Sequence, residues 1–332
     1  MRVSAVINNY NYGRYLGEAV ESVLRQDRPA DEILIVDDGS TDDSRAVIAS
    51  FGSKVKGVLR EHKGQAAALT AGLEAAAGDV ACLLDSDDWW APGKLKKVAE
   101  RFEAEPGLGM VQHWTREVRG GMPLGGEPPA VPATYRLADH LEGRTFFTGT
   151  TGLSFRVSAA RKLLPVPESL TFCADEHLFT HILFEGDVAT IPEALGFRRV
   201  HGANLYARRY RSRERLEDFI RVRAVLDDGF EKRLRERGLA FSPEEKRRRT
   251  AERLQDEYLL FCHRGARAEA LEAWRRLGET LPPGYGAFKK ASLLAALVSP
   301  GLYMALAEAY ARAPFLVGLR RAVWKDPSGR AA

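Results

Sequence analysis

The chain has 332 residues, a net charge of +4, 45% hydrophobic residues and 28% charged residues. That length buries a sizeable core in one large or two smaller domains, and the composition is that of an ordinary globular protein. A charge of +4 is too small to argue for nucleic acid, and the three scattered cysteines Cys82, Cys173 and Cys262 form neither a disulfide framework nor a zinc-finger spacing. Met1 runs straight into a predicted strand with no signal peptide, and no bilayer-length stretch lacks charges. The sequence therefore predicts a cytoplasmic protein.

Val3–Ile7 reads as a strand, followed by the polar, aromatic turn Asn8-Asn-Tyr-Asn-Tyr-Gly13. Leu16, Ala19, Val20, Val23 and Leu24 recur at helical spacing, the stripe of a helix packed on a sheet. Ile33–Val36 is a second strand, ending in Asp37-Asp38-Gly-Ser-Thr41, where Ser40 and Asp43 match a capping box that predicts a helix to about Ser50. Val55–Leu59 is a weaker strand. Gly64–Ala77 is alanine-rich and helical, with Gly78 as its expected stop. Val80–Leu84 is a short apolar run suited to a strand buried on both faces, and a helix should follow from Pro92 to Glu105.

The apolar run ends at Asp85-Ser86-Asp87-Asp88, three carboxylates within four residues. Side chains two apart on a strand share a face, so Asp85 and Asp87 would converge on one small object. Like charges packed together need a counter-charge, and a divalent cation, which takes one or two carboxylates and completes its shell with water and phosphates, is the economical candidate. The plainer reading is a polar strand-to-loop junction whose aspartates cap the next helix.

Strands alternating with helices imply parallel pairing and a three-layer α/β domain, in which ligands bind beyond the carboxyl ends of the strands. Asn8–Asn11, Asp37–Asp38 and Asp85–Asp87 all fall at such ends. No P-loop motif is present, and no Gly-x-Gly-x-x-Gly follows the first strand, which disfavours P-loop ATPases and dinucleotide-dependent dehydrogenases.

Gly109–His113 predicts another strand, and Gly120–Pro132 a loop or flap. Thr145–Phe155 is small, apolar and β-prone, with a short helix near Ser158. Phe172–Phe184 reads as an amphipathic helix with Asp175 and Glu176 at its start, where the helix dipole favours carboxylates. Val188–Ile191 and Leu195–Val200 read as two further strands, the second ending at His201. Beyond Tyr206, Arg- and Glu-dense segments predict a helical appendage, with a break at Gly238 and a restart at Ser242-Pro243.

Val3-Ser-Ala-Val-Ile-Asn-Asn-Tyr-Asn11, Val36-Asp-Asp-Gly-Ser-Thr-Asp42, Leu84-Asp-Ser-Asp-Asp88 and Ala174-Asp-Glu-His-Leu178 occur in this order. Together they resemble the inverting nucleotide-sugar glycosyltransferases of family two, which have the GT-A type fold. The resemblance covers about the first 205 residues. It implies a nucleotide-sugar-binding α/β half over 1–115, an acceptor-binding half over 116–205, and a mainly helical region over 206–332. By position it implies that Asn9, Tyr10, Asp37 and Asp38 hold base and ribose, and that Asp85 and Ser86 approach ribose or phosphate. It further implies that Asp87 and His201 bind Mg²⁺ or Mn²⁺ and that Asp175 is the general base. Where relatives carry a proline after the first strand this chain has Asn8, and where they often carry Arg-Asn it has Leu69-Thr70, so Lys63 or another cation must face the phosphates.

The function implied is transfer of a sugar from a nucleoside-diphosphate sugar, UDP-linked by expectation, to a hydroxyl of a glycan, lipid-linked or small-molecule acceptor, without nucleic acid. The alternatives are a non-catalytic nucleotide-sugar-binding scaffold and a nucleotidyltransferase, the latter disfavoured by the missing glycine-rich triphosphate loop. His177 and His181 have metal-ligand spacing, but no zincin pattern surrounds them, which favours a structural role. Phe288–Trp324, with its Lys289-Lys290 and Arg320-Arg321 flanks, fits equally the inner face of an anionic membrane, the packed side of the helical appendage or a contact with a second subunit.

Overall fold

A computed structural model describes residues 1–124, 131–201, 212–280, 293–301 and 303. The chain divides into two compact units, one of Met1–His140 with Thr145–Ala203, the other of Leu141–Arg144 with Asn204–Ala332.

The first unit is a curled ten-stranded sheet with helices on both faces. In chain order its elements are β1 (Val3–Asn9), α1 (Gly13–Leu24), β2 (Glu32–Asp37), α2 (Ser44–Ser50), β3 (Lys56–Leu59), α3 (Gln65–Ala75) and β4 (Val80–Asp85). They continue as β5 (Trp89–Trp90), α4 (Lys94–Ala104), β6 (Leu108–Arg119), β7 (Met122–Leu124), β8 (Thr134–Tyr135), α5 (Leu137–Leu141), β9 (Leu153–Arg156), α6 (Val157–Ala160), α7 (Ala174–His181) and β10 (Asp187–Arg199). The central order is β3-β2-β1-β4-β9-β6-β10-β5. Strands β1 to β4 pair in parallel, as do β6 and β10, while β9 runs antiparallel between β4 and β6. This is the mainly parallel α/β architecture expected.

Alternation along the buried strands sorts residues between two cores. Val3, Ala5, Ile7, Cys82 and Leu84 pack with Leu16 and Val20 of α1 and with Leu95, Val98 and Phe102 of α4. Val6 and Val36 face α3 instead. A Cβ on Gly72 would lie 2.5 Å from Val6 Cγ1, so a side chain there would push α3 off the sheet.

Several boundaries differ from the sequence reading for local reasons. Ser40 does not cap α2; its hydroxyl accepts from Asn11 N (2.9 Å), and Asp42 receives Ser44 N (3.0 Å) instead. Helix α3 ends at Ala75, with Gly78 N donating to Ser4 Oγ (2.9 Å) rather than closing the helix. Pro92 lies in the turn before α4. The expected β-rich Thr145–Phe155 is mostly loop and a 3₁₀ turn, with strand from Leu153 onward. Val188–Ile191 and Leu195–Val200 are one strand, β10, whose register against β6 shifts on either side of Ala194; Pro192 cannot donate to a ladder, so the strand bulges there.

In the second unit, α8 (Arg213–Glu236), α9 (Pro243–Arg264) and α10 (Arg267–Thr280) supply the helical region expected. Ser242 caps α9 by accepting from Glu245 N (3.1 Å), with Pro243 in the first turn. Leu216, Leu254, Tyr258, Ala273, Leu277 and Leu293 share its core. Surface arginines pair along their own helices, as Arg213 with Glu217 (2.8 Å) and Arg275 with Glu279 (2.6 Å) do, the pattern of a solvated face. Among the described residues no helix is long and apolar enough to cross a membrane. Residues 125–130 of the expected flap, and most of the apolar stretch 288–324, lie outside the described residues.

Candidate active site

The polar clusters meet at the carboxyl ends of β1, β2 and β4, the rim where a parallel sheet exposes its loops. Asp85 is the last residue of β4. The chain then turns, with Asp88 N donating to Asp85 O (3.0 Å), so Asp85 and Asp87 approach each other through a turn rather than through strand alternation. Asp87 Oδ2 lies 2.9 Å from His201 Nε2, just past the end of β10, and the His201 ring packs among Tyr12 (5.5 Å) and Tyr15 (5.3 Å). Asp88 is turned inward, accepting from Thr151 Oγ1 (2.5 Å) and Arg199 N (2.9 Å), which ties the turn to β10.

Asp175 enters from the first turn of α7. Its Oδ2 accepts from both the backbone N and the hydroxyl of Thr150, each at 3.1 Å. Asp175 and Asp85 are close enough for their charges to interact. Burial holds Asp85 well above the usual carboxylate range, and Asp88, Asp87 and Asp175 push it further. Burial and then Asp87 raise Asp88 to about 7, while burial and then Glu176 raise Asp175 against the bonds from Thr150. The Tyr12 hydroxyl is pushed up to about 12 by burial and then by Asp87 and Asp85. This repelling acidic floor is an arrangement that a bound cation would relieve.

The model of the family described as glycosyl transferase family 2 matches residues 4–164. An uncharacterized glycosyltransferase of Nostoc sp. is 35% identical over 216 residues, spanning 61% of this chain and 66% of the relative. The matched region belongs to glycosyltransferase family 2. The putative teichuronic acid biosynthesis glycosyltransferase TuaG of Bacillus subtilis is 38% identical over 102 residues, 30% of this chain and 40% of TuaG. This chain thus spans less than two thirds of the length of these relatives. Among solved structures, S. aureus TarS 1–349 in complex with UDP-GlcNAc aligns over 84% of this chain and 91% of that one, with TM-score 0.56 and 19% identity. The mannosyltransferase PcManGT of Pyrobaculum calidifontis, in complex with GDP-Man and Mn²⁺, aligns over 98% and 81%, with TM-score 0.52 and 19% identity. The fold is of the GT-A type.

Within the family 2 domain, the expected nucleotide residues fall into two groups. Asn9 Nδ2 donates to Asp37 Oδ1 (2.9 Å) and lies 3.2 Å from Ser40 Oγ, while Arg45 Nε sits 3.3 Å from Asp37 Oδ2. Ser86 is buried, and its hydroxyl has no partner among the described residues. Tyr10 is exposed, with its ring stacked on His62 at 4.0 Å. Asp38 differs from the rest because its carboxylate is already committed. It accepts from Lys63 N (3.1 Å) and Gly64 N (2.7 Å) and lies against Arg60 Nε (3.3 Å) and His62 Nδ1 (2.8 Å). Gly64, at φ 90°, gives the bend that aims these N–H groups at Asp38.

The lysine expected to replace the family arginine, Lys63, has an exposed side chain and meets Asp38 through its backbone. Leu69 is fully buried in the core. The cation on Asp38 is Arg60, which also donates to Ala67 O. Sequence reasoning also missed Thr150, Thr151, Arg199 and His62, and gave Asp88 no separate role. Only Thr148-Gly-Thr-Thr-Gly152, a polar run inside an apolar stretch, hinted at the first two. His181 Nδ1 faces His177 O (2.9 Å) and the two rings stack at 4.1 Å, which is local helix packing.

Proposed function

We propose that the protein is a metal-dependent inverting glycosyltransferase acting by single displacement on a nucleoside-diphosphate sugar, UDP-linked, with Asp175 as base. One observation carries this reading: Asp175, brought by α7, faces the Asp85–Asp87 turn closely enough for the carboxylates to repel.

The residues present fit Mg²⁺ or Mn²⁺. Asp87 and His201 offer one carboxylate and one imidazole, on the acidic turn that also carries Asp85 and Asp88. Among the described residues no three acidic, histidine or cysteine side chains form a ready metal cage, so the rest of the shell would come from diphosphate and water. Held there, a divalent ion would supply Lewis-acid stabilisation of the charge on the departing diphosphate.

The protein's own residues supply the remaining steps. Tyr10, with Asn9 and Asp37, forms the rim for base and ribose, and Arg60 and Asp38 fix the adjacent loop. Asp175 takes the proton from the acceptor hydroxyl as that oxygen attacks. Its raised pKa strengthens it as a base, while the bonds from Thr150 offset part of that rise and orient the carboxylate. Attack from the side opposite the diphosphate gives inversion.

The test is hydrolysis of UDP- and GDP-linked sugars with and without Mn²⁺, compared with Asp87→Asn. The proposal requires metal-dependent release of nucleoside diphosphate that Asp87→Asn abolishes. Nucleotide binding with the same Mn²⁺ dependence in that variant would place the metal elsewhere.

A further inference from the structure

We propose that Gln65 is a positioning residue for the reaction, capping the helix that carries Asp175 and tying that helix to the loop on Asp38. This rests on the glycosyl-transfer reading and adds a residue that reading does not use.

Helix α7 begins without the usual means of satisfying its first N–H groups. A helix start leaves several of them with no intrahelical partner, and the side chain of the preceding residue ordinarily accepts one. Here that residue is Cys173, which lies at φ 53°, in the left-handed region, and gives no side-chain cap. Ala174, the first residue of α7, is fully buried, so its N–H needs a partner within the protein. The partner is Gln65, 109 residues earlier, whose Oε1 accepts from Ala174 N at 3.2 Å. Asp175 is the next residue along.

Gln65 is itself placed by the loop before it. It opens α3 directly after Lys63 and Gly64, whose N–H groups both donate to Asp38 (3.1 and 2.7 Å). The stretch Lys63-Gly64-Gln65 thus holds the end of β2 with its backbone and the start of α7 with one side chain. A slide or tilt of α7 would carry the Asp175 carboxylate away from Thr150, whose N–H and hydroxyl both reach one oxygen at 3.1 Å. Errors of this kind are costly at a reacting group, where about 1 Å of misplacement can lower a rate a hundredfold.

Helix α3 also secures the chain that leads into α7, at points away from the base. Arg161 Nη2 donates to Ala76 O (2.7 Å), and Val166 N donates to Thr70 Oγ1 (3.0 Å). The Thr70 bond is of the same kind as the Gln65 bond, a backbone N–H given to a side-chain oxygen of α3. It therefore separates holding the segment from holding the base.

The test is kcat and KM for metal-dependent nucleotide-sugar hydrolysis by the full chain, with UDP affinity by calorimetry and melting temperature on the same samples. Gln65→Met keeps the length and removes the acceptor. We expect kcat to fall about tenfold, with KM and UDP affinity near wild type. Gln65→Glu keeps an acceptor at the same reach, and its charge is favoured at two helix starts. It should recover most of the loss above the acidic limb of the pH profile. Thr70→Val should lower the melting temperature and leave kcat unchanged. A Gln65→Met variant that only melts earlier, as Thr70→Val does, or a Gln65→Glu variant no better than Gln65→Met, overturns the proposal. If Gln65→Met does not fold, Gln65→Asn, one methylene short of Ala174 N, takes its place. Asp175→Asn separates the two levels. Hydrolysis that survives it removes the base assignment and this inference together, whereas hydrolysis that needs Asp175 and ignores Gln65 removes this inference alone.

Discussion

Thr150 holds Asp175 twice, through its backbone N–H and its hydroxyl, both reaching the same carboxylate oxygen at 3.1 Å. Twenty-five residues separate the two in sequence. The threonine sits in a 3₁₀ turn at the entrance of β9, and the aspartate in the first turn of α7. The pair sets both the direction of the proposed base and the balance of its protonation.

Burial and Glu176 raise the Asp175 pKa, and Thr150 lowers it. A base works when deprotonated, so the rate should rise with pH through the Asp175 pKa. Thr150→Val removes one stabilising donor and should move that acidic limb to higher pH. Glu176→Gln removes a like charge and should move it lower. The measurement is the pH profile of kcat/KM for metal-dependent nucleotide-sugar hydrolysis. Limbs moving in the same direction would detach Asp175 from proton transfer.

Asp175→Asn preserves size and hydrogen bonding but takes no proton. Turnover should fall by roughly two to four orders of magnitude, with nucleotide affinity by calorimetry near wild type. Glu176→Gln should cost much less, since neighbours on a helix diverge by about 100°. The reverse pattern would shift the base by one residue.

Asp38 acts on the loop, whereas Tyr10 offers an exposed ring. Asp38→Ala strands the N–H groups of Lys63 and Gly64 and releases Arg60 and His62. It should lower the melting temperature and the nucleotide affinity together, at a cost of about 1–3 kcal/mol for the unmet groups. Tyr10→Ala should lower affinity with little change in melting temperature. Equal stability for both variants would contradict the structural role of Asp38.

Lys94 is a buried cation away from this chemistry. Its side chain is fully buried over the Trp90 ring, with Nζ 3.5 Å from the centroid and the Cys82 thiol as its polar neighbour. Burial lowers its pKa from 10.5 to about 8, offset in part by Cys82, and the His113 ring is held down to about 3 by burial and then by Lys94. A folded pKa below the unfolded one means that the unfolded chain binds more protons between those values. Stability should therefore rise with pH between about 8 and 10.5, and the full penalty, on the order of 3 kcal/mol, should be felt below pH 8. Lys94→Met should be more stable than wild type at pH 7 by denaturant unfolding, and the gain should shrink by pH 10. A gain that grows with pH would contradict the sign.

The sequence shows most clearly what is periodic or contiguous. Buried strands such as Val80–Asp85 and the stripe of α1 are local patterns, and so is the Ser242-Pro243 start of α9. The rim clusters were legible for the same reason, since each closes a strand. What depends on contacts across the chain was not. Asp85 and Asp87 meet through a turn that Asp88 secures to Arg199, 111 residues away. Ser40 looks like a helix cap, but Asn11 reaches it first. The cation on Asp38 comes from the loop at Arg60 rather than from α3, where Leu69 faces the core. The halves of β10 read as two strands because Pro192 and Glu193 interrupt a pattern that the bulge restores.

The most direct test of the account is the anomeric configuration of the sugar first released when water serves as acceptor. Time-resolved proton NMR of α-linked UDP-glucose, UDP-N-acetylglucosamine and GDP-mannose, each with Mn²⁺, reads it before mutarotation. Single displacement with Asp175 as base predicts that an accepted donor yields the β anomer first, and that Asp175→Asn yields almost none. Release of the α anomer first, or release unchanged in Asp175→Asn, would contradict it.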